Sequence, residues 1–162
     1  MIDTIVVRLD RLVAGIIAAV RWLALPLIVL LFLQWPLRDI VRGYSREAND
    51  LGQIFFALFV AASITAATRA GTHLAADTLA HRYSPRTRAV LGKIGVVIGL
   101  LPWAAIVLAT SAAPVWNSLK GIEAFPDTNN PGYFLIKFAL WLMAGTVLLQ
   151  GIADLLRGPG EP

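Results

Sequence analysis

The sequence predicts an all-α integral membrane protein, a bundle of four transmembrane helices, and three observations carry that prediction. Hydrophobic residues make up 57% of the 162 positions and charged residues only 15%, against roughly 45–50% and about 25% in an ordinary soluble domain. The charges are gathered into short stretches, and between them lie four apolar runs of about the length a helical crossing needs. No stretch is left over for a soluble domain and no internal repeat is visible, so residues 1–162 read as a single membrane domain.

In residues 2–20 the large apolar side chains fall at Ile2, Ile5, Val6, Leu9, Leu12, Val13, Ile16, Ile17 and Val20, the spacing of one helix face. Asp3, Arg8, Asp10 and Arg11 lie mostly off that face. Two readings stay open: a helix lying in the membrane interface and leading into the first span, or the charged start of a long tilted span. Arg8 and Arg11 before apolar residues resemble a secretory signal, but the apolar stretch runs past Pro26 without a cleavage-like site, so it is expected to be retained.

The first span is predicted over 22–37, with Arg21 snorkelling to the headgroups, Trp22 and Trp35 anchoring the ends, and Pro26 bending the helix. Arg38 to Asp50 carries too many charges to enter hydrocarbon and is predicted as a loop with room for a helical turn. The second span, 51–68, is rich in small residues, Ala57, Ala61, Ala62, Ser63, Thr65 and Ala66, which predicts burial inside the bundle. Arg69 to Lys93 is basic, with Ser84-Pro85 as a turn or helix-start signal. The third span, 94–115, holds Gly95 and Gly99 in a G-x-x-x-G spacing, which predicts a close helix contact, and Pro102, which predicts a kink. Trp116 to Pro131 is full of polar and helix-breaking residues and is predicted as a second outer loop. The fourth span is predicted over 133–156, with Lys137 able to snorkel outward.

Lys and Arg divide unequally across this arrangement. Arg8, Arg11, Arg21, Arg69, Arg82, Arg86, Arg88, Lys93 and Arg157 fall on one side, and Arg38, Arg42, Arg46, Lys120 and Lys137 on the other. The acids split evenly, so one side carries the whole net charge of +4, and the positive-inside bias then predicts both termini in the cytoplasm.

Several functions are disfavoured by what the chain contains. The basic residues form no stripe, which argues against a nucleic-acid partner. Cysteine is absent, which removes thiolate nucleophiles, disulfides, iron–sulfur clusters and thiolate zinc sites. His73, Asp77 and His81 would share one helix face, but in a basic juxtamembrane segment with no second carboxylate they are a poor metal or haem site. No acid pair or repeated broken helix stands at membrane depth, so the chain is not expected to carry an ion-coupled substrate alone. A polar stripe along one span, which a self-assembled channel would want, is not visible. Trp103 and Trp141 sit well inside their spans, packed either on a larger partner or within the bundle and lipid.

The stretch Arg69-Ala70-Gly71-Thr72-His73-Leu74-Ala75-Ala76-Asp77 resembles the R-x-G-x-H-[hydrophobic]-x-x-[DE] segment that follows the second span in the small membrane (DctQ-type) subunit of TRAP transporters, the tripartite ATP-independent periplasmic carriers of organic anions. Arg69, Gly71, His73 and Asp77 match it position by position. The four-span layout, Glu47 and Asp50 before the second span and the proline-containing turn before the fourth are also similar, so the resemblance covers nearly the whole chain. It implies a sodium-coupled system of the bacterial inner membrane in which a large multispan permease subunit moves the organic acid, a periplasmic substrate-binding protein delivers it, and this chain enlarges the fixed scaffold in contact with membrane lipid. No catalytic residue, cofactor or metal is implied. Arg69, Gly71, His73, Asp77, Gly95, Gly99, Trp103 and Trp141 are then expected to make structural or partner contacts, and Arg46, Glu47, Lys120 and Glu123 to face the binding protein. The rival reading is a small membrane-anchor subunit of a membrane enzyme complex, which would need histidines inside the spans.

Overall fold

A computed structural model of the protein describes residues 2–41, 43, 45–70 and 83–156. Among them the helices are α1 (Ile2–Val20), a 3₁₀ turn (Arg21–Leu23), α2 (Ala24–Asp39), α3 (Arg46–Ala70), α4 (Pro85–Gly95), a π turn (Val96–Leu100), α5 (Leu101–Lys120) and α6 (Tyr133–Leu156). Four stretches, Thr4–Pro36, Arg46–Ala70, Arg86–Lys120 and Tyr133–Leu156, are long and apolar enough to cross a membrane. This is the four-helix membrane bundle that the composition predicts.

Each proline irregularity is traceable to one residue. A proline lacks an N–H, and its ring clashes with the carbonyl four residues earlier. For Pro26 that carbonyl belongs to Trp22, which lies in the 3₁₀ turn, where the Ala24 N–H bonds to the Arg21 carbonyl three residues back. For Pro102 it belongs to Ile98, and there the helix widens into a π turn with the Leu101 N–H bonded to the Val96 carbonyl. Both disturbances therefore fall on the N-terminal side of the proline, and α4 and α5 remain one long element with a single loosened turn.

Helix starts correct the expected loops. Ser84 caps α4 by accepting from the Thr87 N–H at 3.2 Å, with Pro85 in the first turn, so Ser84-Pro85 is a helix start. Ser45 accepts from the Ala48 N–H at 3.1 Å and Glu47 stands in the first turn of α3, favourable to the helix dipole. Arg46, Glu47 and Asp50, expected in a loop, are thus helical. At the other loop α5 continues to Lys120 past the expected break at Trp116. Charge and polarity reported where these helices leave hydrocarbon, and a helix continues into water wherever its end is capped.

The centre of the bundle is the seam between α3 and α6, with α5 packed on the other side of α6. In α3 Ala61, Ala62 and Thr65 are buried, in α6 Ala144, Thr146, Val147, Gln150, Gly151 and Ala153, and Ala104, Val115 and Ser118 are the buried residues that α5 adds. Without a hydrophobic drive between helices in lipid, small residues and hydrogen bonds supply the cohesion. Thr65 Oγ1 and Thr146 Oγ1 are 2.7 Å apart across the seam, while Trp141 Nε1 donates to Ser111 Oγ at 3.1 Å and links α6 to α5.

The α1 helix packs on α3 and α6 and buries Val13. Its residues Ala14, Ile17 and Ala18, with Arg21 just beyond, border the same crevice as Ala66, Arg69 and Ala70 of α3, and Arg69 reaches back to Asp10. From Asp10 to Ala18 is about 12 Å of helix axis, but from Ala66 to Ala70 only about 6 Å. The α1 helix thus meets α3 near the end of that helix.

Candidate functional site

The residues singled out by the sequence collect at three places. At the end of α3, Arg69 Nη1 donates to the Asp10 backbone carbonyl at 2.9 Å and its Nη2 lies 4.0 Å from the Asp10 carboxylate. The side chains are 33% and 22% exposed, so the pair is partly sheltered and fastens α1 to the bundle. On the neighbouring helix Lys93 Nζ donates to the Leu155 carbonyl at 3.4 Å, placing a cation at the C-terminal end of α6, where the helix dipole favours it. Gly71, His73 and Asp77, which complete the motif, lie outside the described residues.

The second place is the G-x-x-x-G face, which no other described residue of the chain approaches closely. A Cβ on Gly92, Gly95 or Gly99 would meet nothing within 4 Å. The close approach falls instead at Gly151 of α6, where a Cβ would lie 2.7 Å from Leu100 Cδ2, 3.1 Å from Leu101 Cδ2 and 3.4 Å from Val96 Cγ1. Val96 and Leu100 each follow a glycine of the motif by one residue, which turns them about 100° around the helix. Large side chains of the π turn fill the groove over Gly151, and the glycine face is left exposed beside Trp103, itself 46% exposed.

The third place is the loop between α5 and α6, which is more ordered than its composition suggests. The Phe125 N–H donates to the Asn130 carbonyl at 2.8 Å and the Asn129 N–H to the Phe125 carbonyl at 2.9 Å. Phe125 is buried and meets Tyr133 edge to face, with centroids 5.5 Å apart. Gly132 has a φ of +146° and no room for a side chain, since a Cβ would lie 2.9 Å from Ile54 Cδ1. Asp50, buried at the start of α3, accepts from Thr128 Oγ1 at 2.5 Å and from Asn130 Nδ2 at 3.5 Å, which clamps the loop to that helix. Arg46, Asp50, Asp127 and Tyr133 line part of a cavity of about 360 Å³ between α3 and the loop.

Glu123 accepts from Lys137 Nζ and from Ser118 Oγ, each at 2.5 Å. The hydrogen bond from Lys137 is the main reason, and that from Ser118 the next, that the Glu123 carboxyl is held below its ordinary range. Lys137, which the sequence reading has able to snorkel outward, is tied to Glu123 of the loop between α5 and α6. Lys120 lies over the Trp116 ring at 5.0 Å, and Glu47 accepts from Ser45 Oγ at 3.1 Å; Arg46, Glu47 and Lys120 are exposed, Glu123 partly so.

Sequence reasoning passed over Thr146 and Gln150, both buried in α6; Gln150 Nε2 donates to Asp154 Oδ1 at 2.8 Å. Their signal was present as polar residues four apart within an apolar run. His73 and His81 lie outside the described residues, and among the described ones no cluster of three His, Asp or Glu side chains could hold a metal.

Four helices long and apolar enough to cross a membrane, tied to one another and to the outer loop by polar contacts, define an integral membrane bundle. The family model for tripartite ATP-independent periplasmic transporters, DctQ component, matches residues 27–159, and the chain belongs to that family. This is a family of transporter components, not of enzymes. No curated protein and no solved structure matches the chain significantly.

Proposed function

We propose that the chain is the small scaffold subunit of a sodium-coupled, binding-protein-dependent secondary transporter of organic acid anions, set in a bacterial inner membrane with both termini cytoplasmic. The observation that carries this reading is the contrast in packing: α3 and α6 bury their small-residue faces in one another, while α2 and the α4–α5 element turn large apolar side chains and the Gly95–Gly99 face outward. A rigid centre with an unfilled close-approach face suits a part held still while a larger subunit moves its substrate-bearing domain. On this reading Gly95, Gly99 and Trp103, with Gly71, His73 and Asp77 at the cytoplasmic end, meet the large permease subunit, and Arg69, tied to Asp10, has a structural role. Trp141 spends its N–H inside the chain on Ser111 and has a structural role. Arg46, Glu47, Lys120 and Glu123 surround the outer loop where the periplasmic binding protein would dock, and α1 lies along the cytoplasmic interface.

The purified chain in liposomes with a sodium gradient and the binding protein should accumulate no organic acid until the large subunit is added. Uptake by this chain alone would overturn the scaffold reading. Orientation has its own check, clean because the native chain has no cysteine. Cysteines replacing Glu47 and Asp127 should react with an impermeant thiol reagent outside intact cells, and one replacing Arg86 should not.

A further inference from the structure

From the crevice between α1 and the end of α3 we infer that this chain holds one anionic phospholipid, its phosphate between Arg21 and Arg69 and an acyl chain along the alanine-lined wall. The crevice has a volume of about 380 Å³ and is bordered by Ala14, Ile17, Ala18, Ala66 and Ala70, with the two arginines as its charged members. Such a lining divides as a phospholipid does, hydrocarbon against small apolar side chains and phosphate against guanidinium.

The two arginines differ in what already occupies them. Arg69 is engaged with Asp10 through one hydrogen bond to the carbonyl and a 4.0 Å approach to the carboxylate, and a guanidinium carries five N–H donors, so it is held in place with donors to spare. Arg21 is exposed, stacks 5.7 Å from the Trp22 ring centroid and makes no ion pair with a described residue. Trp22, 62% exposed, puts an aromatic ring of the type enriched at headgroup depth beside it. In a membrane, lipid is the most abundant molecule available to fill this crevice. Charge complementarity selects an anionic headgroup, because a zwitterionic one would bring a cation of its own to two guanidinium groups. The inference does not depend on the transport reading or on which leaflet the crevice faces.

The test is native mass spectrometry of the purified full chain released from micelles doped with equal amounts of phosphatidylglycerol and phosphatidylcholine. The wild-type chain should retain a single phosphatidylglycerol in preference to phosphatidylcholine. Arg21→Gln should lower that preference roughly fivefold, the effect expected for one basic residue at a membrane surface. Ala18→Phe, at an exposed position on the crevice wall, keeps both arginines and should lower occupancy by either lipid. Equal retention of the two lipids by the wild-type chain overturns the inference, and this needs no variant. Undiminished preference in a folded Arg21→Gln chain, verified by circular dichroism, also overturns it, as does undiminished occupancy in Ala18→Phe, which would put the lipid outside the crevice.

Discussion

Gly151 and the pair Gly95 and Gly99 are glycines in apolar helices, and they have opposite fates. Gly151 is buried under Leu100, Leu101 and Val96, whereas a Cβ at Gly95 or Gly99 would stand in open space. The motif with the recognisable spacing is the one left open among the described residues, and the solitary glycine is the one that a neighbouring helix fills. A glycine permits close approach without choosing the partner; the choice falls to the large side chains that reach it from the next helix. Filled positions therefore belong to the stability of the subunit itself, and open ones are available to whatever packs outside it.

The largest expected effect breaks that contrast directly. Gly151→Leu forces a side chain into atoms already within 3.4 Å and should cost about 2–3 kcal/mol, read as a lowered unfolding midpoint of the isolated chain in detergent. Gly95→Leu should change that midpoint by less than about 0.5 kcal/mol, because nothing stands in its way, yet reduce co-purification of the large subunit. Equal losses from both substitutions in the isolated chain would erase the distinction between filled and open faces.

A middle-sized effect sharpens it at the hydroxyl pair. Thr65 and Thr146 are joined at 2.7 Å inside the seam, so a double-mutant cycle with Thr65→Val and Thr146→Val should give a coupling of about 0.6 kcal/mol, the usual size for such pairs in membranes. Both hydroxyls also bond their own helices, Thr65 to the Ala61 carbonyl and Thr146 to the Leu142 carbonyl, which limits what the cross-helix contact adds. Additive single effects would mean that the seam is held by shape alone.

The smallest expected effect concerns the outer loop, where Glu123 is held in its charged form by Lys137 and then by Ser118. Its folded pKa is depressed from an ordinary 4.5, so the stabilisation is fully present above that value and is lost as the pH falls through the lower folded value. Unfolding followed from pH 7 to pH 3 should show a shallow loss confined to the acid end, and Glu123→Gln should remove that part of the slope. An unchanged slope in the variant would separate the loop from Lys137 as a source of stability.

The sequence by itself determined the number of apolar helices and the family, marked Ser84-Pro85 as a turn or a helix start, and pointed to the small residues of the second span, of which Ala61, Ala62 and Thr65 are buried and Ser63 is exposed. Those features are written in local terms, as a run of apolar residues, a face of small side chains, a cap or a short motif. Helix ends were less legible: Arg46 to Asp50 and Trp116 to Lys120 read as loop because polarity marks where a chain leaves hydrocarbon, not where its backbone stops being helical. Only the tertiary structure decided that Asp50 holds Thr128 from 78 positions away, that Lys137 serves Glu123, and that Gly151 receives the π turn while Gly95 and Gly99 receive nothing from the other described residues. Each of these depends on which faces of distant helices meet, and a rotation of one residue, about 100° of helix, is enough to send a glycine from the seam to the outside.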